Sequence, residues 1–288
     1  MLEVSMSDRV ALVTGASSGI GRATAGELAE RGFTVYAGAR RVDRMGDLRA
    51  RGIRVVSLDV TDDASTDDAI DLITRETGRL DALVNNAGYG SYGAVEDVPL
   101  DEGRRQIDVN LLGPMRLIRR AIPLMREQGF GRIVNVTSVG GKIHTPLGAW
   151  YHGTKFALEG MSDVLRIELR RFGIDVVVVE PGMIKTEWGN VAAERLRRTS
   201  ADGAYRDQAE QLASSMLSGS AAEHASDPSV IAHVIGKAVT TRRPKTRYAA
   251  GHTAHLVLTA RRLLPDRAFD RVITARLQGS PAPAPERA

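Results

Sequence analysis

Tyr151 and Lys155 are the residues whose types and spacing most clearly allow chemistry. They lie four residues apart in the segment YHGTK, within a stretch of helical pattern, so their side chains share one helix face at about 5–6 Å between Cβ atoms. A free tyrosine has a pKa of about 10, and a neighbouring ammonium lowers it by about 1 to 3 units because it favours the phenolate. The pair predicts an acid/base centre in which Lys155 lowers the pKa of Tyr151.

Ser138 extends this centre, because it follows a predicted strand in the segment IVNVTS. Open α/β sheets bind ligands at the carboxyl ends of their strands. A hydroxyl there, beside Tyr151, would give a developing alkoxide two hydrogen-bond donors. Taken singly, each residue also fits a structural role. Ser138 could be a strand-end cap, Tyr151 an interface tyrosine, Lys155 a solvated lysine and Asn110 a buried turn former. A serine nucleophile is not expected, because no G-x-S-x-G elbow surrounds Ser138.

A glycine-rich turn near the start of the chain predicts a phosphate site. The first predicted strand runs into TGASSGIG at 14–21, and a helix begins near Ile20. Glycines let the backbone approach a phosphate closely, and the helix N-terminus offers free N–H groups. The spacing differs from the common fingerprint G-x-G-x-x-G, and a glycine-rich turn without a ligand stays open as the alternative.

The end of the second predicted strand indicates which dinucleotide is bound. It reads YAGARR at 36–41, with no acid at the strand tip, where a carboxylate would bind a ribose 2′-hydroxyl and an arginine would bind a 2′-phosphate. Arg40 can make a bidentate contact to phosphate, and Arg41 adds charge. We therefore expect NADP(H) rather than NAD(H). The alternative is that both arginines only cap a surface turn.

Taken together, these segments resemble the short-chain dehydrogenase/reductase family. TGASSGIG resembles its TGxxxGxG turn, NNAG at 85–88 resembles its sheet-supporting motif, and the residues after Pro181 resemble its nicotinamide-side loop, over roughly residues 8–190. The resemblance implies a catalytic tetrad of Asn110, Ser138, Tyr151 and Lys155. It implies cofactor contacts from Gly15, Ser17, Ser18, Gly19, Ile20, Gly21, Arg40, Arg41, Asp59, Val60, Asn86, Ala87, Gly88, Tyr151, Lys155, Pro181, Gly182, Ile184 and Thr186. The chain departs from many NADP(H)-binding relatives in carrying Ser17 and Ser18 where a second basic residue would stand.

The resemblance also implies a reaction. It is hydride transfer between the nicotinamide of NADP(H) and a ketone or secondary alcohol, or an aldehyde or primary alcohol, with Tyr151 as acid/base. Leu147, Trp150, Met183 and Trp188 around the expected substrate edge favour a lipophilic substrate, although they also fit an ordinary core. NNAGYG and VYAGAR look most like the branch that includes 17β-hydroxysteroid and retinol dehydrogenases. The alternative is a non-catalytic NADP(H)-binding redox sensor.

The elements that position these residues alternate along the chain, with short β-branched runs between longer amphipathic stretches. This pattern predicts an α/β fold: a Rossmann-type doubly wound parallel sheet of about seven strands with helices on both faces. The predicted strands are 10–14, 34–39, 54–58, 82–84, 132–137, 175–180 and 246–250, and the helices are 20–31, 43–50, 63–77, 101–127, 150–171 and 228–240. We expect one domain over 1–276, with a mobile substrate insertion at about 183–228, a basic helical region at about 251–276 broken by Pro265, and a disordered tail at 277–288.

Composition excludes several other classes of function. The chain has no cysteine and six scattered histidines, so no metal site is expected. No apolar run reaches the roughly 18 residues of a membrane span, and no leader pattern opens the chain, so a cytoplasmic protein without stable membrane insertion is expected. Residues 237–276 hold ten basic and two acidic residues, a local charge of +8 in a chain whose net charge is +4. That region fits a solvated face, with a membrane-surface or partner role as the alternative. Nucleic acid is not an expected partner, because aromatic residues are not interleaved with the basic residues. The family resemblance implies a homodimer or homotetramer through the helices at 101–127 and 150–171, acting on a small-molecule substrate.

Overall fold

One parallel sheet of seven strands forms the centre of the protein. The computed structural model describes residues 9–217 and 223–277. The strands are β1 (Val10–Thr14), β2 (Thr34–Ala39), β3 (Arg54–Ser57), β4 (Ala82–Asn85), β5 (Gly131–Val136), β6 (Ile174–Pro181) and β7 (Arg247–Ala250), in the order β3-β2-β1-β4-β5-β6-β7. The order reverses between β1 and β4, so the crevice at the carboxyl ends of these two strands is the expected ligand position. The predicted doubly wound fold is confirmed.

Helices cover both faces of the sheet. They are α1 (Gly19–Glu30), α2 (Gly46–Ala50), α3 (Asp63–Thr77), α4 (Leu100–Ile107), α5 (Gly113–Gln128), α6 (Ala149–Leu169), α7 (Trp188–Thr199), α8 (Arg206–Leu217), α9 (Pro228–Thr240), α10 (Ala254–Leu263) and α11 (Asp266–Leu277). Alternate β1 residues face opposite layers: Ala11 and Val13 join the core under α1 and α9, whereas Val10 and Leu12 join the core under α3 and α5. Burial on both faces explains why the strand sequences are almost wholly apolar.

The predicted helix at 101–127 is three elements in the structure. A π-helical turn, Asp108–Leu112, separates α4 from α5. The insertion after β6 contains α7 and α8, which pack against each other, and the basic region forms α10 and α11 on either side of Pro265. The predicted mobility of 183–228 stays a prediction, as does the single domain, and the tail from residue 278 onward lies outside the described residues. Within 9–217 and 223–277, no helix combines the length and apolarity needed to cross a membrane.

Candidate active site

The carboxyl ends of β1, β4, β5 and β6 bring the predicted site residues to one edge of the sheet. The glycine turn follows β1, Asn86 follows β4, Ser138 lies two residues beyond β5, and Gly182 follows β6. Helix α6 crosses this edge and carries Tyr151 and Lys155. The segments that the sequence singled out therefore meet at one crevice.

The Ser138 hydroxyl lies near the Tyr151 hydroxyl. Burial raises the pKa of Tyr151 to about 12, and the nearby Ser138 hydroxyl opposes the rise. The Lys155 ammonium, one helical turn away, donates to the backbone oxygen of Val136 at 3.0 Å. Burial lowers the pKa of Lys155 to about 8, against the opposing charge of Glu159. The pKa of Tyr151 is therefore raised and not lowered as predicted, because burial disfavours the phenolate.

Asn110 lies in the π-helical turn and joins two parts of the site. Its Nδ2 donates to the backbone oxygen of Tyr89 at 2.9 Å and to the Thr154 hydroxyl at 3.2 Å, while its Oδ1 accepts from the Tyr89 N–H at 3.1 Å. A Cβ atom at Gly88 would lie 3.2 Å from Asn110 Oδ1 and 3.8 Å from Lys155 Nζ. Asn110 thus holds the loop after β4 against α6, beside Lys155.

The glycine turn is locked to the loop after β4. The Thr14 hydroxyl accepts the backbone N–H groups of Asn86 and Ala87, each at 3.0 Å, and Asn86 Nδ2 donates to the Thr14 backbone oxygen at 2.9 Å. Gly15 has φ +68°, and a Cβ atom at Gly21 would lie 2.4 Å from the Gly15 oxygen. These positions therefore require glycine.

The first turn of α1 is available to an anion. Ser18 is the N-cap, yet its side chain makes no capping bond, and the first turn carries no acidic residue. Ser17 is buried, whereas Ile20 is partly exposed. Uncapped N–H groups at a helix N-terminus favour a phosphate group, so the turn fits the pyrophosphate of a dinucleotide.

Four arginines surround this turn, two of which the sequence argument missed. Arg41 donates to the Ser17 hydroxyl at 3.3 Å, and Arg22 donates to the Ser17 backbone oxygen at 2.9 Å. Arg44 pairs with Glu187 at 2.6 Å. The predicted Arg40 is exposed. Arg22 was recognisable as a basic residue one helical turn after Ser18, but no local pattern links Arg44 to a residue beyond β6.

Asp59 and Val60, two of the cofactor contacts that the resemblance implies, follow β3. Asp59 accepts the N–H and hydroxyl of Thr61 at 3.0 and 2.8 Å. Burial raises the pKa of Asp59, but the bonds from Thr61 and the charge of Arg40 outweigh it, and the net pKa is lowered. Val60 is buried against Gly113, where a Cβ atom would lie 2.9 Å from the valine Cβ.

The loop after β6 reaches back over the glycine turn. A Cβ atom at Gly19 would lie 3.0 Å from the Thr186 methyl group. At the start of the loop, a Cβ atom at Gly182 would lie 2.3 Å from the His252 oxygen, and Ile184 bridges to Ser226. Pro181 ends β6. This loop therefore closes the crevice opposite α6.

Aromatic side chains cover Tyr151 on the substrate side. Its ring centre lies 5.2 Å from that of Trp188 and 5.6 Å from that of Tyr92, and Leu147 packs against the same cluster. Trp150 instead packs against α4, where a Cβ atom at Gly103 would lie 2.6 Å from the indole. The prediction that Trp150 contributes to the substrate edge is not supported, because the residue points toward a helix–helix contact.

Arg247 departs from the expected solvated basic face. Its guanidinium bonds Glu159 at 3.0 Å and Asp163 at 2.7 Å, and Glu159 is 2% exposed. These bonds fix β7 to the C-terminal half of α6.

Comparisons with known proteins agree with this geometry. A sequence model of the family described as short chain dehydrogenase matches residues 9–196. The chain is 34% identical over 263 residues to YbbO of Escherichia coli, named an uncharacterized oxidoreductase, covering 91% of this chain and 93% of that one. It is 30% identical over 277 residues to the NADPH-dependent 3-dehydrocapnine reductase of Ornithobacterium rhinotracheale, covering 92% and 95%.

Solved structures are similar as well. A short-chain dehydrogenase from Streptomyces avermitilis superposes with a TM-score of 0.78 at 34% identity, covering 95% of this chain and 99% of that one. A metagenomic short-chain oxidoreductase in complex with NADP superposes with a TM-score of 0.67 at 27% identity, covering 85% and 98%.

Proposed function

Because the chain belongs to the short-chain dehydrogenase family, and so is an oxidoreductase acting on CH–OH or C=O groups, we propose a hydride-transfer reaction with Tyr151 as the acid/base. The hydride passes between NADP(H) and a ketone or aldehyde, or the corresponding alcohol. The observation that carries the proposal is that the Ser138 hydroxyl lies near the buried Tyr151 hydroxyl, next to the crevice onto which the glycine turn opens. Lys155 lies one helical turn away.

The chain's own residues supply the proton and the oxygen-binding groups. When bound, the nicotinamide supplies or accepts the hydride. In reduction, the Tyr151 hydroxyl gives its proton to the substrate oxygen while the Ser138 hydroxyl stabilises the developing charge. Lys155, with a pKa of about 8, exchanges protons near neutral pH and can restore the proton to Tyr151. Oxidation runs these steps backwards. We do not propose the non-catalytic sensor, because Asn110, Ser138, Tyr151 and Lys155 meet at one site.

We propose that NADP(H) is preferred over NAD(H). Arg40 and Arg41 stand at the tip of β2, where Arg41 contacts Ser17 of the glycine turn, and Arg22 contacts the same turn while it pairs with Asp47. An arginine cluster favours a 2′-phosphate through charge-assisted contacts. A relative named NADPH-dependent and a related structure in complex with NADP support this choice.

We propose a lipophilic carbonyl substrate. Tyr92, Leu147 and Trp188, with Met216 of α8, form an apolar cluster around Tyr151, and Met183 is 39% exposed nearby on the loop after β6. The narrower resemblance to steroid and retinol dehydrogenases stays a prediction.

We also propose a homodimer or homotetramer. Helix α6 exposes Phe156, Val164 and Ile167 by 45%, 55% and 71%, and Leu112 before α5 is 45% exposed. An exposed apolar stripe on neighbouring helices favours association with a second copy. A cytoplasmic location stays a prediction from the sequence.

Turnover of NADPH with a panel of steroid, retinoid, aliphatic and sugar carbonyl compounds tests the proposed reaction. Tyr151→Phe should lower kcat by about 10²- to 10⁴-fold, the usual contribution of a positioned acid, with NADPH affinity unchanged. Tyr205→Phe, a tyrosine outside the site, should keep wild-type turnover. Full turnover by Tyr151→Phe would refute the role of the phenol.

A further inference from the structure

His152, the neighbour of Tyr151 on α6, is a buried histidine whose two ring nitrogens are both engaged. Nε2 accepts the backbone N–H of Thr145 at 3.1 Å and lies 3.0 Å from the Thr145 hydroxyl. Nδ1 lies 2.9 Å from the backbone oxygen of Gly140. A backbone N–H can only donate, so Nε2 carries no proton, and the ring is the neutral tautomer that donates from Nδ1 to Gly140.

These bonds hold the segment that carries Ser138. Gly140 is bound on both sides of the residue: its N–H donates to the Ser138 hydroxyl oxygen at 3.0 Å, and its carbonyl oxygen accepts from His152. Thr145, at the far end of the same segment, is bound by the other ring nitrogen. The imidazole therefore ties two points of the connection between β5 and α6, Gly140 and Thr145, to the helix that carries Tyr151.

Packing leaves the ring little freedom. A Cβ atom at Gly140 would lie 3.1 Å from His152 Nδ1, and one at Gly148 would lie 2.7 Å from His152 Cδ2. The ring centre lies 5.5 Å from that of Tyr151. The Tyr92 ring, which also packs on Tyr151, has its centre 6.4 Å from that of His152.

The protonation state of His152 suits this arrangement. Burial lowers the pKa of His152, although the bond to the Gly140 backbone opposes the change, and the charge of His144 adds to it. A neutral ring keeps one donor and one acceptor, and a doubly protonated ring would lose the acceptor for Thr145.

We propose that His152 is a positioning residue that sets the Ser138 hydroxyl against the Tyr151 hydroxyl, so that both reach the same substrate oxygen. This inference rests on the proposed function, because it assigns a role toward the reaction of that site. His152 acts through Gly140 and Thr145 and does not itself touch the substrate.

Three variants of the full chain test the inference. His152→Phe keeps the ring volume and removes both hydrogen bonds, so kcat should fall by about 10- to 100-fold, since a displacement of about 1 Å in a catalytic group costs on that order. His152→Asn places an amide N–H near the Nδ1 position and should recover at least about a third of the lost turnover by keeping the bond to Gly140. His144→Asn is the matched control, because His144 lies in the same segment but pairs with Asp270 at 2.9 Å, and it should keep wild-type kcat.

The measurements separate positioning from folding. Turnover is expressed per NADPH-binding site, so a variant that partly unfolds does not mimic a slow enzyme, and NADPH affinity should stay within about twofold in all three variants. Wild-type kcat in His152→Phe, or equal losses in His152→Phe and His152→Asn, would overturn the inference. If Tyr151→Phe were fully active, the proposed function would fail instead. If His152→Phe does not fold, two other measurements test the inference: kcat of His152→Asn, and ¹⁵N spectra of the wild-type imidazole, which show which ring nitrogen carries the proton. A proton on Nε2 would contradict the inference.

Discussion

Lys155 places an ammonium in a buried position, and its removal should change how stability depends on pH. The side chain is 7% exposed, and burial lowers its pKa from 10.5 to about 8. Below pH 8 the lysine is charged in both the folded and the unfolded chain. Between about 8 and 10.5 only the unfolded chain holds the proton, so the unfolded state binds more protons and the wild-type protein becomes more stable as pH rises.

The size of this effect follows from the two pKa values. The difference between 10.5 and about 8, at about 1.36 kcal/mol for each pH unit, gives about 3 kcal/mol over the full window. Lys155→Met lacks the titrating group, so the free energy of unfolding of the wild type should gain about 2–3 kcal/mol relative to this variant between pH 7 and pH 10. Other titrating groups cancel in the comparison.

Urea unfolding of both proteins at several pH values between 7 and 10 measures the difference. Lys237→Met is the control, because Lys237 is exposed on α9, and its curve should run parallel to that of the wild type. A constant difference between wild type and Lys155→Met, within about 0.5 kcal/mol, would refute the buried-ammonium reasoning. Lys155→Met should also lose most of its turnover at pH 7.

Three further changes test other parts of the structure. Arg41→Ala should weaken NADPH binding by about tenfold and leave NADH binding unchanged, because it removes a charge-assisted contact; fluorescence titration measures both, and equal weakening would contradict the assignment. Trp188→Ala should lower KM for bulky ketones relative to small ones, because the indole packs 5.2 Å from the Tyr151 ring, and an unchanged ratio of KM values would count against the apolar wall. Arg247→Met should lower the free energy of unfolding by about 3 kcal/mol, because it removes a partner of the buried Glu159 carboxylate. Thermal unfolding measures this loss, with Arg243→Met at an exposed position as the control. An equal loss in both variants would exclude the buried ion pair as the cause.

The sheet was largely predictable because its strands have a strong local pattern. β1 and β2 begin and end where the apolar runs predict, and the other five differ by one residue at one or both ends. A strand buried on both faces needs a continuous apolar run, and that requirement is readable from a single segment. The π-helical turn at Asp108–Leu112 was not predicted, since one additional residue in a helical turn leaves the apolar spacing of the flanking helices nearly unchanged.

Within the site, residue identity was more predictable than residue environment. The chemistry of Tyr151 and Lys155 could be inferred from their spacing, but the direction of the Tyr151 pKa could not. It depends on burial by Tyr92 and Trp188, which come from distant segments of the chain. The ion pair of Arg44 with Glu187 joins residues 143 positions apart, and such a contact leaves no local pattern in the sequence.

A single-turnover measurement tests the central claim most directly. Enzyme loaded with NADPH is mixed with an excess of an active ketone, and the loss of nicotinamide absorbance is followed in wild type, Tyr151→Phe and Ser138→Ala. The account predicts that Tyr151→Phe slows the hydride step by at least about 10²-fold and that Ser138→Ala slows it as well, while NADPH remains bound in both. An unchanged rate in Tyr151→Phe would contradict the assignment of the phenol as the proton donor.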